Sequence, residues 1–257
     1  MIPLFEQLLG TMIARRIRGA ERMRRFIGIA ARIDEITSVN RYGAVFRLRL
    51  SDYIDSIVLR EGYYESEVLE AMQGATPTDG VVWDVGANFG LHSVTLKKLR
   101  PDARVICFEP SPDQAARLLT HADMNNVELE LYCMGLGKQP ATGTLHTVRG
   151  NPGMNTFSPW SEATYTGSLR SYADTGDNLL RSGSVAKPAV IKLDVEGSEL
   201  NALEGMSSLI GALKPTILCE GGPELLGIFD RLNMSCRPLV RNEATTHGLN
   251  NYIAEPL

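Results

Sequence analysis

At 257 residues, with 44% hydrophobic and 22% charged residues, the chain has the composition of a soluble globular protein, one α/β domain or two small ones. Its net charge of −4 gives no global reason to expect nucleic acid, and it contains no run of 18 apolar residues to span a membrane. The opening Met1-Ile2-Pro3-Leu4-Phe5-Glu6 has no basic residue ahead of its apolar ones, the wrong order for a secretory signal.

Leu4, Phe5, Leu8, Leu9, Met12 and Ile13 recur at helical spacing and form one apolar stripe. Arg15, Arg16, Arg18, Arg22, Arg24, Arg25 and Arg32 oppose only Glu6 and Glu21, so residues 1–33 carry +5 and the remainder −9. Gly10, Gly19 and Gly28 weigh against one unbroken helix. The pattern predicts a helical arm over residues 1–35, packed on the domain over 36–257 or on a second copy in a homo-oligomer. Contact with a membrane surface is the next reading, and contact with nucleic acid the last.

Gly43 to Leu50 alternates apolar and basic residues, as an edge strand with one wet face does, and Ser56-Ile57-Val58-Leu59 reads as another short strand. Glu65 to Met72 reads as a helix that buries Val68, Leu69 and Met72, and Thr76-Pro77-Thr78-Asp79-Gly80 is turn chemistry. Val81-Val82-Trp83-Asp84-Val85-Gly86-Ala87-Asn88-Phe89-Gly90 then follows the grammar of a buried parallel strand, a tight turn and a helix carrying Leu91, Val94, Leu96 and Leu99. Glycine at 86 and 90 lets the backbone turn sharply and lets a ligand come close. The helix start offers free N–H groups, and Asp84 sits at the strand end, where open α/β sheets bind ligands.

A dinucleotide site uses G-x-G-x-x-G. Here position 88 is Asn, 91 is Leu, and an acid directly precedes the turn, where it would oppose a pyrophosphate. An acid there suits a ligand with an ammonium group, such as S-adenosylmethionine. Asp84, Gly86, Asn88 and Gly90 are therefore predicted to hold its methionine end. The next strand, Val105 to Phe108, ends in Glu109-Pro110, which places an acid where ribose hydroxyls are bound. NAD proteins share that acid, so Glu109 alone does not separate the two cofactors.

Ser111-Pro112-Asp113 opens a helix ended by Asn125-Asn126, and Val127 to Met134 reads as the third core strand. The turn that follows it is where adenine would lie in a sheet of this order, which makes Met134 and Gly135 cofactor-binding candidates. Gly143 to Val148 is a short extra strand. Residues 149–187 break the rhythm with turn formers and the aromatics Phe157, Trp160 and Tyr165, a composition that suits a lid over the substrate. Ala189 to Leu193 is a buried strand ending in Asp194 and Glu196, with Lys192 on the strand face of Asp194. Ser198 is placed to cap the helix through Leu200, Leu203 and Met206. Thr216 to Cys219 is the fifth core strand, ending in Glu220, and Pro223 to Leu232 is a helix. Residues 234–240 and 250–255 read as a closing hairpin, with the mostly polar Arg241 to Gly248 between.

Cys107, Cys133, Cys219 and Cys236 show no C-x-x-C spacing and sit in apolar runs, which predicts buried, reduced thiols in a cytoplasmic protein. No Cys/His cluster marks a metal site, and neither G-x-S-x-G nor a Walker lysine motif occurs.

Asp84 to Gly90, Phe108-Glu109-Pro110 and Ile191 to Leu200 together resemble the FkbM-type family of class I S-adenosylmethionine-dependent methyltransferases. Tyr64-Glu65, Asp177 to Leu180 and Pro215 to Glu220 are similar to its pattern too, so the likeness spans about residues 60 to 255. Gly135 departs from it, since the family often has alanine there. The resemblance implies a Rossmann-like, doubly wound sheet of seven mostly parallel strands with one antiparallel strand. It also implies O-methylation of a hydroxyl on a sugar or secondary metabolite. Asp194 is then the expected general base, Glu196 the second choice, and Lys192 the cation that keeps Asp194 ionised. An NAD-linked oxidoreductase and a non-catalytic nucleoside-binding module are the alternatives.

Overall fold

The computed structural model describes residues 34–161, 163–239 and 250–257; the arginine-rich arm and the polar stretch Arg241 to Gly248 lie outside them. The central sheet has seven strands: β3 (Val81–Val85), β4 (Arg104–Phe108), β5 (Glu130–Tyr132), β9 (Val190–Leu193), β10 (Thr216–Gly221), β11 (Met234–Pro238) and β12 (Asn250–Pro256). Their order across the sheet is β11-β12-β10-β9-β3-β4-β5. Only β12 runs against its neighbours, pairing antiparallel with β10 and β11. This is the doubly wound sheet with a single reversed strand that the family resemblance implied.

Helices cover both faces. On one, α2 (Ser66–Ala75), α3 (Leu91–Leu99) and α4 (Pro112–Asn125) bury Val82, Val105, Cys107 and Val190. On the other, α5 (Gly176–Arg181), α6 (Glu199–Glu204), α7 (Ser207–Leu213) and α8 (Glu224–Arg231) bury Trp83, Ile106, Phe108 and Ile191. Alternate residues of one strand serve opposite cores because strand side chains alternate, and burial on both faces explains why these strands are almost wholly apolar. At the fully buried Phe108 or Trp83, truncation to Ala would cost ~3–5 kcal/mol. No described helix is long and apolar enough to cross a membrane.

Several sequence expectations change. Residues 56–59 lie inside a helix, α1 (Tyr53–Glu61), not a strand. Val58 and Leu59 are buried there, and Gly62 ends the helix in the left-handed region, so tertiary burial overrides the β-branched run. The edge strand β2 (Val45–Arg49) pairs with β1 (Glu35–Val39) in a separate hairpin. Part of the long loop is ordered, because β8 (Gly167–Asp174) pairs with β7 (Ala141–Thr147) and with β6 (Gly135–Leu136). All four cysteines are free, but Cys133 is exposed and Cys236 half-buried; Cys133 follows the very short β5, where the chain has already left the sheet.

Candidate functional site

The C-terminal ends of β3, β4, β9 and β10 bring their acids to one edge of the sheet. The turn after β3 is built from its backbone: the N–H groups of Gly86 and Ala87 both donate to the Phe108 carbonyl, at 2.9 and 3.1 Å. Gly86, Asn88 and Gly90 have φ of 81°, 51° and 84°. A Cβ on Gly86 would run into the Asp194 carbonyl, so only glycine lets the turn pass that close to the end of β9. Gly90 opens α3 directly beyond it.

Glu109 braces this cradle. Its Oε2 accepts the Asn88 N–H and its Oε1 the Ser111 N–H, each at 2.8 Å. Each oxygen keeps a lone pair, the arrangement a pair of ribose hydroxyls needs. Burial pushes the Glu109 carboxyl up to about 7, although both N–H groups and the Lys192 ammonium oppose the shift. Met134 is half-buried against the Tyr132 and Phe108 side of the core. Gly135 is buried beneath Phe157, whose Cε2 stands 2.8 Å from where a Cβ would be. Gly143 faces the same ring, so two glycines leave the space that admits it.

Asp84 does not reach the open face. Its strand register places it beside Lys192 on β9 and Cys107 on β4, with all three side chains on the face under α3. It has no exposed surface: Oδ2 accepts from the Ser93 hydroxyl, and Oδ1, 3.4 Å from Lys192 Nζ, has no hydrogen-bond partner. Lys192 is nearly as buried, and its ammonium also donates to Asp194 Oδ2 at 3.1 Å and to the Gly86 carbonyl at 3.3 Å. Burial favours a neutral lysine, but Asp194, Asp84 and Glu65 hold it firmly charged. A buried ammonium with carboxylates on two sides is a compensated unit whose members cannot be removed singly without cost.

Asp194 continues the same face beyond β9 and is half-buried at the crevice. Glu196 has φ 54° and Gly197 φ 87°, and this tight turn is fixed by Glu199, whose Oε1 accepts from the N–H groups of Val195 and Gly197 at 3.0 and 3.1 Å. Glu199, not Ser198 or Glu196, thus serves the start of α6, which leaves the Glu196 side chain free to enter the crevice. Carboxylate oxygens of Asp194, Glu196 and Glu220 lie within 4.8 Å of one another, a donor set that can hold a hard cation. Without one, burial and mutual repulsion drive both Glu196 and Glu220 well above the ordinary carboxyl range.

The segment after β7 closes over this turn. Thr156 Oγ1 donates to the Glu196 carbonyl, Ser158 Oγ lies 2.8 Å from Ser198 Oγ, and the Trp160 indole rests against Gly197. Phe157 lies against Gly135 and Trp160 against Gly197, next to the carboxylates. Sequence reasoning missed Glu65 and Glu199 as site-building residues. Glu199 had a signal, since an acid in the first turn of a helix can bind N–H groups at its own start. His92 is buried between Tyr63 and Glu65.

A profile of the methyltransferase FkbM domain matches residues 84–229. The chain is 29% identical over 205 residues to the hexuronic acid methyltransferase AglP of Haloferax volcanii, covering 79% of this chain and 82% of that protein. It is 23% identical over 148 residues to methyltransferase 1 of Beauveria bassiana, covering 51% of this chain and 59% of that one. Among solved structures it is similar to a methyltransferase FkbM from Methylobacillus flagellatus, with a TM-score of 0.47 and 15% identity. That similarity covers 92% of this chain and 59% of the other.

Proposed function

The chain belongs to the methyltransferase FkbM family, and from that premise we propose that it moves a methyl group from S-adenosylmethionine to a hydroxyl of a sugar or secondary metabolite. The single observation that carries the hydroxyl reading is the Lys192–Asp194 pair, a carboxylate that accepts a hydrogen bond from a buried ammonium at the mouth of the crevice beside the glycine cradle. A hexuronic acid methyltransferase among its relatives supports a sugar as acceptor.

When bound, S-adenosylmethionine supplies a methyl group made electrophilic by its sulfonium. The protein's task is alignment and proton removal. The Gly86–Gly90 turn and Glu109 orient the nucleoside and methionine ends. Asp194 accepts the acceptor hydroxyl proton as the oxygen attacks, and the hydrogen bond from Lys192 fixes the position of that carboxylate. Glu196 and Glu220, whose carboxyls burial pushes above the ordinary range, stand beside Asp194 where neighbouring acceptor hydroxyls would lie. Residues 152–161 exclude water above them.

The test is incubation with radiolabelled S-adenosylmethionine and a panel of neutral sugars, uronic acids and hydroxylated natural products. Label in an acceptor is the expected result. Cofactor binding with no transfer to any acceptor would favour a binding module, and stabilisation by NAD in place of S-adenosylmethionine would favour an oxidoreductase.

A further inference from the structure

Three carboxylates, those of Asp84, Asp194 and Glu65, act on the single ammonium of Lys192. Two are committed to it: Asp84 is sealed from solvent beside it, and Asp194 accepts its hydrogen bond. Glu65 is not. Its Oε1 accepts from Asn251 Nδ2 at 3.2 Å, and its Oε2 is 3.8 Å from His92 Nε2, beyond hydrogen-bond reach. Burial works against its charge, but His92, Lys192 and Asn251 together hold its carboxyl below the ordinary range. The side chain keeps 15% of its surface open.

Two further features place Glu65 near the glycine cradle, on the crevice side of the sheet. His92 stands on α3 two residues beyond Gly90, so the helix that opens the cradle carries a neighbour of Glu65. Asn251 lies opposite Glu220 in the β10–β12 register, which sets Glu65 on the crevice side of the sheet. Glu65 also adopts φ 53°, ψ 57°, a left-handed conformation unfavourable for a residue with a Cβ. Such strain persists where surrounding contacts over-determine it, commonly at ligand clamps.

We propose that Glu65 receives the α-ammonium of the cofactor's methionine end, the role that the motif alone assigns to Asp84. Asp84 is unavailable because its charge is matched by Lys192 inside the sheet. Glu65 is the ionised carboxylate left at the cradle without a full partner, and a ligand ammonium offsets the excess negative charge there. The inference rests on the S-adenosylmethionine assignment.

The experiment is calorimetry of wild type and Glu65→Gln with two probes: S-adenosylhomocysteine, which carries the amino-acid end, and 5′-methylthioadenosine, which lacks it. The glutamine keeps the shape of the side chain and its hydrogen bond to Asn251. Loss of one charge-assisted contact predicts a drop of about tenfold to a hundredfold in S-adenosylhomocysteine affinity, with 5′-methylthioadenosine affinity unchanged. Unchanged or tighter binding of S-adenosylhomocysteine would overturn the proposal. Parallel loss of both probes would overturn it too, by showing that Glu65 acts through the fold. Wild type that binds neither probe would remove the cofactor assignment itself and this inference with it.

Discussion

Lys192 Nζ lies 3.1 Å from Asp194 Oδ2, and the lysine is buried while the aspartate opens on the crevice. The cation is thereby committed to the carboxylates of Asp84 and Asp194 rather than to binding a ligand. Asp194→Asn keeps the shape of the site but cannot take a proton. It should lower turnover by ~10²–10⁴-fold with cofactor affinity nearly intact. Steady-state rates beside calorimetry check this, and affinity that falls in step with turnover would move Asp194 into the cofactor shell.

Removing the cation should damage the fold itself. Lys192→Met strands Asp84 and Asp194 without their counter-charge, a loss of ~3–5 kcal/mol for a broken buried pair. Denaturant unfolding should show that loss in the single variant and a partial recovery in Lys192→Met/Asp84→Asn. Additive losses in the double variant would mean that the two groups are not coupled.

Glu109 should link cofactor binding to protons. In the free protein its carboxyl titrates at about 7 instead of its ordinary 4.5, chiefly through burial. Its folded-state value is raised, so the stability it contributes is full below 4.5 and lost as pH rises through 7. Ribose hydroxyls donate best to the ionised form. Cofactor affinity should therefore climb with pH up to about 7 and then level off, with proton release visible when calorimetry is repeated in different buffers. Glu109→Gln should abolish the release and flatten both profiles.

Gly135→Ala should displace Phe157, because the new methyl would stand 2.8 Å from its ring. Overpacking of this kind costs ~1–3 kcal/mol. The expected outcome is a lower melting temperature with a raised KM for S-adenosylmethionine, and Phe157→Leu in the same chain should recover much of both. A Gly135→Ala variant with wild-type stability and KM would separate the ring from the site.

How much was legible in the sequence follows from what kind of interaction decides each feature. The strand–turn–helix at Asp84 to Gly90, the acid at Glu109 and the closing hairpin are local patterns, and the structure has them. The burial of Asp84 is set by the β3–β9 register, which brings residues 108 positions apart side by side. A lysine inside the apolar run Val190 to Leu193 was the available signal, since a buried ammonium requires a buried acid. Residues 56–59 misled because β-branched composition favours a strand until packing decides otherwise. Strand β8 was hidden for the opposite reason: Gly167 to Asp174 is mostly polar and only half-covered, so no apolar alternation announces it. Glu65 stood out only as part of the Tyr64-Glu65 resemblance, and its role was not legible because its partners His92 and Asn251 come from distant segments.

The central claim is methyl transfer to a hydroxyl with Asp194 as the base. Its most direct test is to follow the ¹³C-labelled methyl of S-adenosylmethionine by NMR in the presence of a uronic acid and of the matching neutral sugar. The account predicts label in a methyl ether on a ring hydroxyl, lost in Asp194→Asn. Label in a methyl ester of the uronic acid, with the neutral sugar left unmodified, would contradict it.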